Sequence, residues 1–142
     1  MESIHILLVE DNEGDILLTS EALEDGKILN QLSVVRDGKE AIDFLNKDGY
    51  FKEAQRPDLI LLDVNLPKMN GHEVLKYIKQ HQELKTIPVI MLTTSSSQED
   101  INNSYRNYAS CYITKPIEVE DFMEAVNQIE EFWVKLVKLP SR

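Results

Sequence analysis

Four short stretches of this 142-residue chain carry side chains able to do chemistry, and each directly follows an apolar run. Glu10-Asp11-Asn12-Glu13 follows Ile4–Val9, and Asp63 follows Leu59–Leu62. Thr93-Thr94 and the serines Ser95–Ser97 follow Val89–Leu92, while Lys115-Pro116 comes just after the short pair Tyr112–Ile113. Singly, these have ordinary readings: acids after a strand most often cap a helix, a terminal Thr does the same, and a Lys before Pro is usually solvated. Loop composition does not account for all four at four strand ends. Carboxylates about 4 Å apart repel by roughly 4 kcal/mol per pair at an effective dielectric of about 20. Bringing Glu10, Asp11 and Asp63 together is therefore tolerable only with a cation. Hard oxygen ligands with one or two direct carboxylates describe a Mg²⁺ site. Such an ion clamps phosphoryl oxygens, and a carboxylate beside it can act as a nucleophile that forms an acyl phosphate. Lys115 would offer a point charge to an incoming anion, and Thr93 a hydroxyl donor.

These residues meet only in a fold that gathers strand ends at one edge. The runs Ile4–Val9, Leu59–Leu62 and Val89–Leu92 are almost continuously apolar, as expected of strands covered on both faces. Leu32–Val35 and Tyr112–Ile113 supply two shorter strands. Between them lie stretches with helical spacing, marked by Ile16, Ser20, Leu23 and Lys27, by Ala41, Phe44 and Leu45, and by Val74, Leu75 and Ile78. Asn70 before Gly71 and His72–Gln80 predicts a helix cap. Gln98–Tyr108 predicts a more polar, half-exposed helix. Val119 to Val137, with Phe122, Val126, Ile129, Trp133 and Val137 at spacings of three or four, predicts one long amphipathic helix. The polar stretch Asn46–Pro57 is an enlarged loop. Alternating strands and helices imply right-handed crossovers and a doubly wound sheet whose ligand sits at the carboxyl ends of the strands.

The bulk numbers agree with one α/β domain over residues 1–142. Hydrophobic residues at 42% and charged residues at 28% describe a globular chain rather than a disordered one. The single cysteine, Cys111, excludes an internal disulfide and a cysteine zinc site, and suits a reducing cytoplasm. It reads as a small buried hydrophobe. A formal charge of −10 disfavours nucleic acid and anionic lipid as main partners. With neither a leader pattern nor an apolar run approaching 18 residues, no signal peptide or membrane span is expected. His5, His72 and His81 share no spacing that would make a metal site.

Glu10-Asp11, Asp63, Thr93 and Lys115-Pro116, each behind its own strand, together resemble the receiver domain of two-component response regulators. The resemblance covers about residues 3–138. It implies a flavodoxin-like fold of five parallel strands in the order 2-1-3-4-5 with five helices, the last extended. By resemblance Asp63 is the phosphoacceptor, and Asp11 and Asp63 are direct Mg²⁺ ligands. Glu10 acts on the metal through water, and Asn65 offers it a backbone carbonyl. Thr93 and Lys115 contact the phosphoryl group, Tyr112 is the aromatic switch, and Asn65 and Ser95 tune hydrolysis of the acyl phosphate. The family often has a cis peptide at the position of Lys115–Pro116.

The loop Asn46–Pro57 and the terminal Ile129-Glu130-Glu131-Phe132-Trp133 also resemble the single-domain regulators that serve bacterial phytochromes. That likeness implies a sensor histidine kinase as donor, a downstream protein target, and a homodimer through the face of the last helix. The core then spans about 3–127 and the helical extension about 128–138. Phe132 and Trp133 are adjacent, so one helix cannot turn both to one core, and at least one should meet a partner. Three rivals remain. A phosphatase with an aspartyl nucleophile would want a second Asp where Asn65 stands. A flavin protein would have its phosphate repelled by Glu10, Asp11 and Glu13. A pseudo-receiver would act without phosphorylation.

Overall fold

A computed structural model describes residues 3–26 and 30–140. Five parallel strands stand in the order β2-β1-β3-β4-β5, with β1 Ile4–Val9, β2 Asn30–Val35, β3 Leu59–Leu62, β4 Val89–Thr93 and β5 Cys111–Thr114. The expected runs hold, with β2 opening at Asn30 rather than Leu32 and β5 reaching one residue further at each end. Helices α1 Glu13–Asp25, α2 Gly38–Asn46, α3 Gly71–Gln80, α4 Gln98–Arg106 and α5 Val119–Ile129 alternate with them. This is the flavodoxin-like, doubly wound α/β fold.

Alternation along each strand divides the apolar residues between two cores. Leu7, Val9, Ile60, Leu62, Val89 and Met91 point to one face, where α2 and α3 contribute Ala41, Phe44, Leu45, Val74, Leu75 and Ile78. Ile6, Leu8, Leu59, Leu61, Ile90 and Leu92 point to the other, covered by Ile16, Ala22 and Leu23 of α1 and by Phe122, Val126 and Ile129 of α5. Burying such a side chain is worth about 1.5–3 kcal/mol, so the three central strands anchor the fold. By contrast α4 buries only Ser104, as its polar sequence predicted.

Register brings the strand ends level. Val9 pairs with Leu62, so Glu10 and Asp63 leave adjacent strands side by side at the point where strand order reverses. The Asp63 amide continues the ladder to the Val9 carbonyl at 3.1 Å, and the Lys115 amide reaches the Thr93 carbonyl at 2.7 Å. The predicted cap at Asn70 is a full capping box, closed by Glu73. Gly71 lets the start of α3 lie against β3, since a Cβ there would overlap the Asp63 carbonyl oxygen and Val64 Cα. The loop Asn46–Pro57 contains a 3-10 turn, Gly49–Phe51, with Tyr50 wholly exposed.

Three expectations change. In α1 the buried face is Ile16, Thr19, Ala22 and Leu23, while Ser20 is half-buried and Lys27 lies outside the described residues. The Lys115–Pro116 bond is trans, with no cis peptide among the described residues. The final segment is not one α-helix. α5 ends at Ile129 and continues as a π-helical stretch, Glu130–Leu136, closed by Val137 N–H donating to the Phe132 carbonyl at 2.9 Å. Buried Glu130 begins it, accepting from Asn30 Nδ2 at 3.1 Å and filling the space beside Gly26 that a side chain there would need. The wider winding seats that carboxylate while keeping Trp133 against the α1/α5 core.

Candidate functional site

The acidic edge is built by the turns that follow β1 and β3. Ligand oxygens of Glu10, Asp11 and Asp63 all lie within 4.8 Å of one another. Glu10 and Asp63 are buried and Asp11 is exposed, so the group opens to solvent on one side. Glu10 Oε2 accepts from the Asn12 amide at 3.1 Å, and Asp63 Oδ1 from the Asn65 amide at 3.2 Å, which fixes both carboxylates against their own loops.

Lys115 enters from the end of β5. Its buried Nζ donates to Glu10 Oε1, to Asp15 Oδ2 at 2.9 Å and to Asp63 Oδ2 at 3.2 Å. Burial opposes its charge, but the bonds to Glu10 and Asp15 and the nearby Asp63 carboxylate hold the ammonium above its ordinary value. Burial pushes the Glu10 carboxyl up to about 7, opposed by the Lys115 bond and assisted by Asp63. Three carboxylates thus share one ammonium, with the Asp11 carboxylate beside Glu10 and Asp63, an imbalance that a divalent cation on the exposed side relieves. The trio fits such an ion, with oxygen donors, one open side and a counter-charge already in place behind it.

Thr93 is fully buried at the end of β4, and its Oγ1 accepts weakly from the Ser95 amide at 3.4 Å. Tyr112 is half-buried against the α2/α3 core, and its hydroxyl donates to the Ser95 carbonyl at 2.8 Å. The Ser95 hydroxyl itself bonds Asp100 rather than the acidic trio. Cys111 is half-buried in the α1/α5 core, where burial pushes its thiol up. Asp15 and Asp100 went unread in the sequence, and His72 was weighed only as a metal ligand. Asp15 sits in the first turn of α1, where a side chain leans back toward the helix start, a position that could have flagged it. His72 and Asp100 meet across α3 and α4, 28 residues apart, and no local pattern announces them.

Comparison with known proteins shows the family. The response regulator receiver domain matches residues 6–127. The chain belongs to that family. Response regulator Rcp1 of Synechocystis sp. is 46% identical to this receiver domain over 136 residues, covering 96% of this chain and 92% of that protein. The Mn²⁺-bound form of Rcp1 superposes with a TM-score of 0.94 at 45% identity, over 97% of this chain and 99% of that one. The phosphorylated cyanobacterial phytochrome response regulator RcpA superposes at 0.96 and 46% identity, over 99% and 100% of the two chains. As a receiver domain the chain is a module of two-component signalling, and these relatives do not favour the phosphatase or pseudo-receiver readings. Among the described residues no helix is long and apolar enough to cross a membrane.

Proposed function

We propose that Asp63 accepts a phosphoryl group from a phosphohistidine of a sensor histidine kinase and that the domain uses it to switch a protein-binding surface. Asp63 carries this reading: it is a buried carboxylate 3.2 Å from Lys115 Nζ that shares a ligand cluster with Glu10 and Asp11. A carboxylate oxygen of Asp63 attacks phosphorus, the N–P bond of the donor breaks, and the imidazole keeps the electron pair. Lys115 balances the charge that builds on the phosphoryl oxygens, and Thr93 donates its hydroxyl to one of them. Glu10, Asp11, Asp63 and the Asn65 carbonyl would hold a Mg²⁺ ion, which would neutralise charge on the transferring group. Asn65 and Ser95 tune how fast water removes the group. The domain promotes its own phosphorylation and dephosphorylation without being an enzyme of repeated turnover.

Movement of Thr93 toward the phosphoryl group draws the β4–α4 loop with it. Tyr112 follows, since its hydroxyl is bonded to the Ser95 carbonyl of that loop. A coupling of about 1–3 kcal/mol between the site and the α4–β5–α5 face suffices for signalling. The likeness to the phytochrome response regulator RcpA supports a phytochrome-type kinase as donor, the single cysteine supports a cytoplasmic setting, and the receiver match over residues 6–127 supports a single receiver unit over residues 1–142. The exposed Phe132 and Leu136 support a homodimer through the C-terminal helical face, with a further protein as target. Intact-mass measurement after treatment with acetyl phosphate and Mg²⁺ tests the assignment. A phosphoryl adduct is expected on the wild type and not on Asp63→Asn; equal yield on both sinks it.

A further inference from the structure

Ser95, two residues past Thr93, is gripped at two points. Its hydroxyl donates to Asp100 Oδ2 at 2.5 Å, and its carbonyl accepts from the Tyr112 hydroxyl at 2.8 Å. Asp100 is held in turn through its other oxygen, which lies 2.8 Å from His72 Nε2 in the first turn of α3. An ionised carboxylate only accepts, so Ser95 and His72 both donate to it. The Ser95 bond and then the His72 bond hold the Asp100 carboxyl below its ordinary value. His72 Nδ1 is buried with no hydrogen-bond partner among the described residues, which leaves the bond to Asp100 to orient the ring. His72 and Asp100 also line, with Asp11 and Asn65, an open cleft of about 500 Å³ beside the acidic trio. Three elements, α3, α4 and the β4–α4 loop, are thereby tied together at the mouth of the site.

We infer that Asp100, oriented by His72, is a positioning residue that keeps the Ser95 hydroxyl committed and so lengthens the life of a phosphoryl group on Asp63. The inference rests on Asp63 being the phosphoacceptor. In hydrolysis a water oxygen bonds phosphorus and the bond from phosphorus to the Asp63 oxygen breaks. The carboxylate keeps the electron pair, and the protons of the water pass to phosphate and solvent. A hydroxyl beside the cleft can donate to that water or to a phosphoryl oxygen. Ser95 cannot do so while its proton is committed to Asp100.

A double-mutant cycle on the full chain tests this. Protein is loaded with acetyl phosphate and Mg²⁺, freed of donor, and followed by intact mass as the adduct decays. Asp100→Ala should speed decay by at least about threefold, and His72→Phe should speed it less, while both effects vanish in a Ser95→Ala background. A role in mere folding or overall charge would change decay equally in both backgrounds. Decay that does not rise in Asp100→Ala and His72→Phe, or rises as much without Ser95, overturns the inference and leaves the phosphoacceptor assignment standing. Should one variant fail to fold, the other decides. A wild type with no Asp63-dependent adduct overturns both.

Discussion

Lys115 and Glu10 show how one residue's chemistry depends on its neighbours. Lys115 Nζ is shared among Glu10, Asp15 and Asp63, so replacing it with Met leaves buried carboxylates without a counter-charge. A loss of about 3 kcal/mol in metal-free urea unfolding is expected, with part of it restored by added Mg²⁺. The raised carboxyl of Glu10 has a defined sign in pH. Its protonated form is favoured in the metal-free fold, so its contribution to stability is complete below the ordinary value of 4.5 and lost as pH rises through about 7. A cation needs the ionised form. Mg²⁺ affinity measured by calorimetry should therefore fall by up to about tenfold per pH unit below 7, with uptake of metal releasing a proton. Glu10→Gln should flatten that dependence; an unchanged slope would show that another group titrates.

At the scale of elements, the site depends on how closely helices approach the strand ends. Gly71 touches the backbone of Asp63 and Val64, and its amide donates to the Val64 carbonyl at 2.8 Å. Gly71→Ala should cost about 2–3 kcal/mol and weaken metal binding together with stability, because relieving the clash moves Asp63 itself. A variant that loses stability but binds metal as the wild type does would separate the two. The C-terminal element divides the adjacent aromatics between two tasks. Trp133 packs on the α1/α5 core, and Trp133→Ala should cost about 3 kcal/mol by thermal or denaturant unfolding. α4 stands at the other extreme. With only Ser104 buried, its amides should exchange hydrogen faster than those of α3, whose Val74, Leu75 and Ile78 are buried.

For the whole molecule, the proposed homodimer has a residue that can be changed without touching the core. Phe132 is 50% exposed and lies beside Leu136, Gln128, Glu131 and Lys135. Phe132→Asp should yield a monomer by sedimentation with its melting temperature little changed, since a charge on an apolar interface costs association rather than folding. A dimer that persists places the contact elsewhere.

The sequence by itself determined the five strands, the two-sided burial of the central ones, and the types standing at their ends. Strand periodicity and strand-end composition are local, and Glu10, Asp11, Asp63, Thr93 and Lys115 each sit immediately past or within an apolar run. Only the tertiary structure decided which of these side chains meet. It joined Lys115 to Asp15, and His72 to Asp100, through crossings that no window of residues contains. It also replaced the last turns of the expected long helix with π-helical winding. Spacings of three and four residues describe an amphipathic face equally well in either winding, whereas the partners that bury Glu130, Asn30 and the backbone at Gly26, come from about a hundred residues away.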